Sequence, residues 1–410
     1  MSMKTRIISI AVMALAVLSC GKNIGGSGQE DNTYKSINLT TKSAEFVEKG
    51  NEFAFDFIER VNGATEKDYI ISPLSMQFLL GMILDGAKGE TAEQICNVLG
   101  YGAGETQAVN EFCLSMLEQL PALDKKTTLA IADAIFVDDG WPLRKTYKDD
   151  VAKYYKAEVS NLDFANGKAS LDVINGWCNK KTNGMIPKVL EEVTTDVLAY
   201  LLNAVYFKSE WSSPFQKGLT SEDKFRDESG NGSKVMMMRK ETELRYSDNK
   251  LYQLVRLPYG NEAFAMYVFL PTEGHTVADV AKSLNKDYGM GMSTCLVDLW
   301  IPKFETNYHI KLNDILSEMG MPNSFDGSKA DFTGMSEYAL CLSYVNQDAA
   351  IKVDEEGTEA AAVSSAAMMK NTSIGFDRIV DFHADHPFLY LITESSTGAV
   401  LFAGRYSGKK

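Results

Sequence analysis

Histidine is scarce in these 410 residues, with only His275, His309, His383 and His386 present. The sequence also has no Gly-x-Ser-x-Gly elbow and no His-Glu-x-x-His pair, so the usual signatures of a hydrolytic nucleophile or a zinc hydrolase are missing. His383 and His386, in Phe382-His-Ala-Asp-His-Pro-Phe388, come nearest to a metal pair. They read as structural, and no metal or other cofactor is expected. Beyond Cys20, the cysteines Cys96, Cys113, Cys178, Cys295 and Cys341 are odd in number, irregular in spacing and free of any Cys-x-x-Cys. That argues against a disulfide framework and a zinc site, and predicts mostly buried free thiols. Positive charge is short as well: 41 Lys and Arg face 55 Asp and Glu, and no basic run stands out. Phosphate backbones would be repelled, so a nucleic-acid partner is not expected. No internal repeat or linker interrupts the chain, and hydrophobic residues at 45% with charged ones at 23% suit one large globular core.

The N-terminus reads as a sorting signal. Lys4 and Arg6 precede an apolar stretch from Ile7 to Leu18, too short for a permanent membrane span. It ends in Val17-Leu18-Ser19-Cys20-Gly21, which resembles a bacterial lipobox. The resemblance implies a signal peptide over residues 1–19 and a lipid anchor on Cys20, with the protein in the cell envelope or outside the cell. Residues 20–40, rich in Gly, Ser, Asn and charge, are expected to be a flexible tether, leaving 41–410 as the folded domain.

From Lys42 the apolar spacing predicts a helix, then a short strand at Tyr69–Ile71. Ser72-Pro73 begins a second helix cleanly, because proline has no amide hydrogen to lose at that position. Gly86-Ala-Lys-Gly89 ends it, and Thr91-Ala-Glu-Gln94 reads as a capping box for the next helix, ending near Gly100. Further helices are expected over 147–155 and 171–181. Strands are expected over 128–137, 197–207, 252–257, 263–270, 296–304, 349–353 and 388–402. Helices early and strands late make an α+β plan.

An ordered series of motifs then identifies a family. Ile71-Ser-Pro-Leu-Ser-Met76, Gly86-Ala-Lys-Gly-Glu-Thr91, Lys180-Lys-Thr-Asn-Gly184 and Asn203-Ala-Val-Tyr-Phe-Lys208 come first. Trp211 with Pro214-Phe215, Leu257-Pro-Tyr-Gly260, Ile301-Pro-Lys-Phe304, Val353-Asp-Glu-Glu-Gly-Thr-Glu-Ala-Ala-Ala362, Ala384-Asp-His-Pro-Phe388 and Leu401-Phe-Ala-Gly404 come after them. Over residues 42–408 the chain resembles the serpins. The resemblance implies helices packed around three β-sheets with a mobile reactive-centre loop, here about residues 355–381. It also implies a monomer that inhibits serine proteases, and cysteine proteases in some cases. The cleaved loop enters the main sheet while the protease is held as a covalent acyl-enzyme; serpin loop insertion is itself a standard example of strand addition. A non-inhibitory carrier or chaperone-like binding protein is the alternative.

The residues permit insertion. A strand sliding between two others needs small inward side chains and no proline. Thr358, Ala360, Ala362 and Ser364 alternate on one face, and no proline lies between Thr358 and Arg378. The resemblance makes Glu355, Glu356, Gly357, Thr358, Glu359, Ala360, Ala361 and Ala362 the hinge, with Gly357 as pivot. It assigns Ser72, Ser75 and Asn203 to a sheet-opening network in which a histidine is usual, and here the matching residue is Gln347. It places Trp211 beneath the hinge and pairs Lys303 with Glu355. The family's spacing forward from Gly357 puts the scissile region at Met369, Lys370, Asn371 and Thr372, centred on Asn371. Counting back from Pro387 gives Phe376, because the loop is longer than is common. Lys370 would suit trypsin-like enzymes, while Met369 and Phe376 would suit subtilisin-, elastase- or chymotrypsin-like ones.

Overall fold

The first helix, α1 (Thr41–Ala64), starts where Thr40 accepts the Ser43 amide at 3.0 Å and turns Phe46, Phe53, Phe57, Ile58 and Val61 inward. The structure, a computed structural model, describes residues 32–195, 197–358 and 379–409. Within it the compact unit begins at Thr33, earlier than the expected boundary at 41. The reason is local: Ile37 is buried and its amide donates to Ser396 Oγ, while Asn38 exchanges two hydrogen bonds with the Gln119 side chain. The last residues of the expected tether are therefore docked. No helix among the described residues is long and apolar enough to cross a membrane.

After the short strand β1 (Tyr69–Ile71), Ser72 caps α2 (Pro73–Gly86), in which every residue but Asp85 is buried. A helix apolar on all sides belongs in a core, and α2 touches strands of both sheets. The next helix, α3 (Gly89–Leu99), corrects the expected capping box. It starts before Thr91, with Lys88 at the cap, because the buried Thr91 hydroxyl is taken by the Asp331 amide at 3.0 Å. It ends as expected at Gly100, left-handed at φ +71°. Helices α4 (Thr106–Gln119), α5 (Lys145–Tyr154), α6 (Gly167–Lys181), α7 (Val277–Ser283) and α8 (Asn313–Met319) follow along the chain.

The strands after β1 are β2 (Thr128–Asp138), β3 (Glu158–Leu162), β4 (Ala199–Glu210), β5 (Ser221–Arg226), β6 (Gly232–Asp248), β7 (Tyr252–Tyr259) and β8 (Phe264–Pro271). Then come β9 (Ser293–Pro302), β10 (Phe304–Lys311), β11 (Val345–Val353), β12 (Gly357–Thr358), β13 (Ile379–His383), β14 (Phe388–Glu394) and β15 (Val400–Tyr406). One sheet runs β10-β11-β12-β4-β2-β3 and the other β1-β15-β14-β8-β7-β6-β9-β13, with β5 also on β6. The second and third of the three expected sheets are thus joined. The 17-residue β6 is long enough to pair with β9 over Met237–Tyr246 and with β7 over Arg245–Asp248. The expected strand over 388–402 is two strands, turning between Glu394 and Val400.

Candidate functional site: the seam of the six-stranded sheet

In that sheet β4 and β11 run parallel and pair directly, Leu201–Val205 against Val345–Ala349. Beyond this stretch β12 lies between them, Thr358 opposite both Val353 and Ser209, and Gly357 opposite Glu210. A Cβ on Gly357 would sit 2.1 Å from the Ser209 carbonyl oxygen and 2.7 Å from Glu210 Cα, so backbone proximity demands glycine.

The turn leading into β12 is held from several sides. The Asp354 carboxylate accepts the Glu356 and Gly357 amides at 2.9 and 3.3 Å. Trp211 donates its amide to the Glu356 carbonyl at 2.8 Å and its indole N–H to the Asp354 carbonyl at 2.9 Å. Its ring stacks on Tyr259 at 4.4 Å, and the Tyr259 hydroxyl lies 2.7 Å from Thr358 Oγ1. The expected ion pair is present, with Lys303 Nζ 2.7 Å from Glu355. Burial alone would raise the Glu355 carboxyl. The Lys303 ammonium hydrogen-bonded to it leads the opposing influences, which together outweigh burial and hold the group below its usual range. Glu356 pairs with Lys217 at 2.5 Å, a partner that nothing in the spacing of the sequence singles out.

Beneath the seam Gln347 grips the start of α2. Its Oε1 accepts the Ser72 amide at 2.8 Å and its Nε2 donates to the Ser72 carbonyl at 2.9 Å. Nε2 also lies 3.5 Å from Asn203 Oδ1, across from β11 to β4. Ser72 Oγ donates to the Leu401 carbonyl at 2.6 Å and accepts the Ser75 amide at 3.3 Å. Ser75 therefore joins through its backbone; its hydroxyl has no hydrogen-bond partner among the described residues. Ser72, Asn203 and Gln347 come together as expected. Asp133, which accepts from Asn203 Nδ2 at 2.8 Å, was missed. Its signal is an acid in the inward row Leu129, Ile131, Asp133, Ile135, Val137 of a strand.

Glu359, Ala360, Ala361, Ala362, Met369, Lys370, Asn371, Thr372, Phe376 and Cys20 lie outside the described residues. The five described cysteines are free; Cys96, Cys113 and Cys178 are buried, whereas Cys295 and Cys341 are partly exposed. His383 and His386 do not converge on one point. His383 pairs with Asp298 at 2.8 Å and stacks on Trp300, while His386 is held by Asp385 and the Pro271 carbonyl. Asp381 lies near the Asp298–His383 pair, but the Asp298 carboxylate is accounted for by His383 and the Trp300 indole N–H.

Known proteins resemble this chain in sequence and fold. The family model described as serpin (serine protease inhibitor) matches residues 48–408. Serpin B6 of Macaca fascicularis is 33% identical over 373 residues, 88% of this chain and 98% of that protein. A serpin-like protein of Methanosarcina acetivorans is 32% identical over 97% of each chain. Among solved structures, the thermophilic serpin tengpin in its native state superposes with a TM-score of 0.81 at 30% identity, covering 92% of this chain and 96% of that one. Human thyroxine-binding globulin complexed with its ligand gives 0.80 at 25% identity, covering 89% and 98%. Motif order, seam topology and these likenesses agree: the chain belongs to the serpin family.

Proposed function

We propose that this serpin is a suicide inhibitor of serine proteases, with some cysteine proteases also within reach. The target's nucleophile attacks a bond in the Met369–Thr372 region, or at the more distal Phe376, and becomes an acyl-enzyme. The hinge then carries the cut loop into the seam between β4 and β11, and the protease is displaced before water completes hydrolysis. The observation that carries this reading is β12: Gly357 and Thr358 already occupy the gap as a strand, in register with Val353, Ser209 and Glu210. The next residues in the inserting row, Ala360, Ala362 and Ser364, are small and uncharged, so the same ladder can extend. The Lys303–Glu355 and Lys217–Glu356 pairs with Trp211 anchor the stationary end. Ser72, Ser75, Asn203 and Gln347 are the polar contacts that part as the strands separate. We further propose that Cys20 carries a lipid anchor after removal of residues 1–19, placing a monomeric inhibitor at the cell envelope.

The deciding experiment incubates the protein with a panel of serine and cysteine proteases and looks for an adduct that survives denaturing electrophoresis. A protein that is merely cut, with no adduct, overturns the reading. A carrier role is the second reading, favoured by a cleft of about 1000 Å³ between α1 and the segment after α7, lined by Val47, Phe55, Tyr267, Leu284 and Tyr288. The globulin in the comparison holds thyroxine in its structure. Ligand binding that survives loop cleavage, with no protease adduct, would favour that alternative.

A further inference from the structure

Asp133 stands in the middle of β2 on the face turned toward the core, and its residue is only 1% exposed. Oδ1 accepts the Asn203 amide at 2.8 Å, while Oδ2 has no hydrogen-bond partner among the described residues. No salt bridge among the described residues involves it. A carboxylate enclosed in this way is expensive to keep ionised, and such a group holds its proton instead. Burial accordingly pushes Asp133 up to about 7, with the Asn203 hydrogen bond pulling the other way. Its place gives this consequence. Asn203 is the residue of β4 whose Oδ1 faces Gln347 across the seam, so the carboxyl touches the opening contact through one side chain.

We propose that Asp133 is a positioning residue for sheet opening, its protonation state setting how readily β4 and β11 part to admit the loop. The inference rests on the insertion mechanism proposed above. In the closed sheet the ionised form is penalised. Parting the seam frees Asn203 from Gln347 and lets water approach, which relieves the penalty. A group that binds its proton more tightly in the closed state than in the open one must favour opening as pH rises through its closed-state value. Below that value a neutral Asp133 exerts no such push. Gln347 does not titrate, and Asp133 lies two strands away from it, on the far side of β4.

The surrounding groups leave few competitors. From α4, Cys113 faces Asp133, and burial drives its thiol so high that it stays neutral, as it does the neighbouring Tyr155 hydroxyl. β4 presents Asn203, and α2 presents Ser72 and Ser75, none of them titratable. On the opposite face of the sheet His309 lies 2.7 Å from Asp348, and that hydrogen bond raises the imidazole above its usual range. His309 is the one rival source of a transition near neutrality among the groups named.

The test separates opening from protease chemistry. A synthetic peptide with the sequence Thr358 to Met369 is offered to the intact protein, and its incorporation rate is monitored by native electrophoresis from about pH 5.5 to 8.5. The expected result is a rise of about tenfold, the equivalent of one pKa unit relaxed on opening, with a midpoint near 7. Asp133→Asn should give a flat profile at the low-pH rate, and Asp133→Ser, smaller and equally neutral, serves if Asn is not tolerated. His309→Gln should keep the rise. Incorporation with a flat wild-type profile, a rise retained without Asp133, or a rise lost with His309 would each overturn the inference while leaving the insertion mechanism intact. A peptide that enters at no pH would remove that mechanism, and this inference with it.

Discussion

Two strand pairings in this molecule are built on opposite principles. Between β14 and β15 all residues are buried and the middle of the pairing is apolar, Leu391 opposite Ala403 and Ile392 opposite Phe402, with the polar Thr393, Glu394 and Arg405 toward its ends. Between β4 and β11 the buried residues include Asn203, Asn346, Gln347 and Asp348, with Asp133 one strand further in. A seam of hydrocarbon is stabilised by every methylene it hides and has no designated place to open. Polar groups in a seam specify register, and they exchange their partners for water when the strands part. On the proposed mechanism, one junction stays shut and the other opens.

The largest test of this contrast is Ala360→Arg, at the next inward position of the inserting row after Thr358. An arginine here would force an unpaired charge into the gap, at a cost of several kcal/mol, on the order of that for other buried unpaired charges. Clipped protein should then melt no higher than intact protein in calorimetry, and protease adducts should disappear. Leu391→Ala in the β14–β15 hairpin should instead lower the stability of intact and clipped forms equally, by about 3 kcal/mol, through the cavity it leaves. If the clipped form alone were affected, the hairpin would not be the passive partner claimed. Gly357→Ala should cost about 2 kcal/mol in the intact protein, since a backbone carbonyl cannot step aside as a side-chain tip can. Denaturant unfolding would measure it, and a neutral result would mean that β12 does not sit as described.

Lys303→Ala is the smallest change. Lys303 is 37% exposed, so solvent screening holds the loss to about 1 kcal/mol. Because the Glu355 carboxyl is held below its usual 4.5, the stability it supplies is complete above that pH and is lost as pH falls through the lower folded-state value. Acid titrations of variant and wild type should therefore converge below pH 4.5. A gap that persisted there would assign the effect to lost packing of the lysine stem.

Much of this was legible in the residues. Ser72-Pro73 announced α2, Gly100 its left-handed stop after α3, and alternating apolar runs announced β2, β4, β7 and β8. The strand β6 was not, because Lys234, Arg239, Lys240, Glu241 and Glu243 interrupt its apolar residues and its extended form is imposed by pairing with β5, β7 and β9. Helix α4 was missed for a different reason: its buried Val109, Phe112, Cys113 and Met116 are spread among polar neighbours and carry no cap signal. At the site, Gln347 was found because the family resemblance assigned its position in the network. Asp133 escaped because a lone acid in a strand looks like a surface residue until the neighbours on its face are counted.

The two-residue strand β12 has one more consequence, for speed. Starting any ladder is its slow part, since chain must be immobilised before a full complement of hydrogen bonds repays the lost freedom. With Gly357 and Thr358 seated, the insertion proposed above would find that nucleation complete before a protease arrives, leaving only elongation once the loop is cut. A race against deacylation would then begin with the first rungs already climbed.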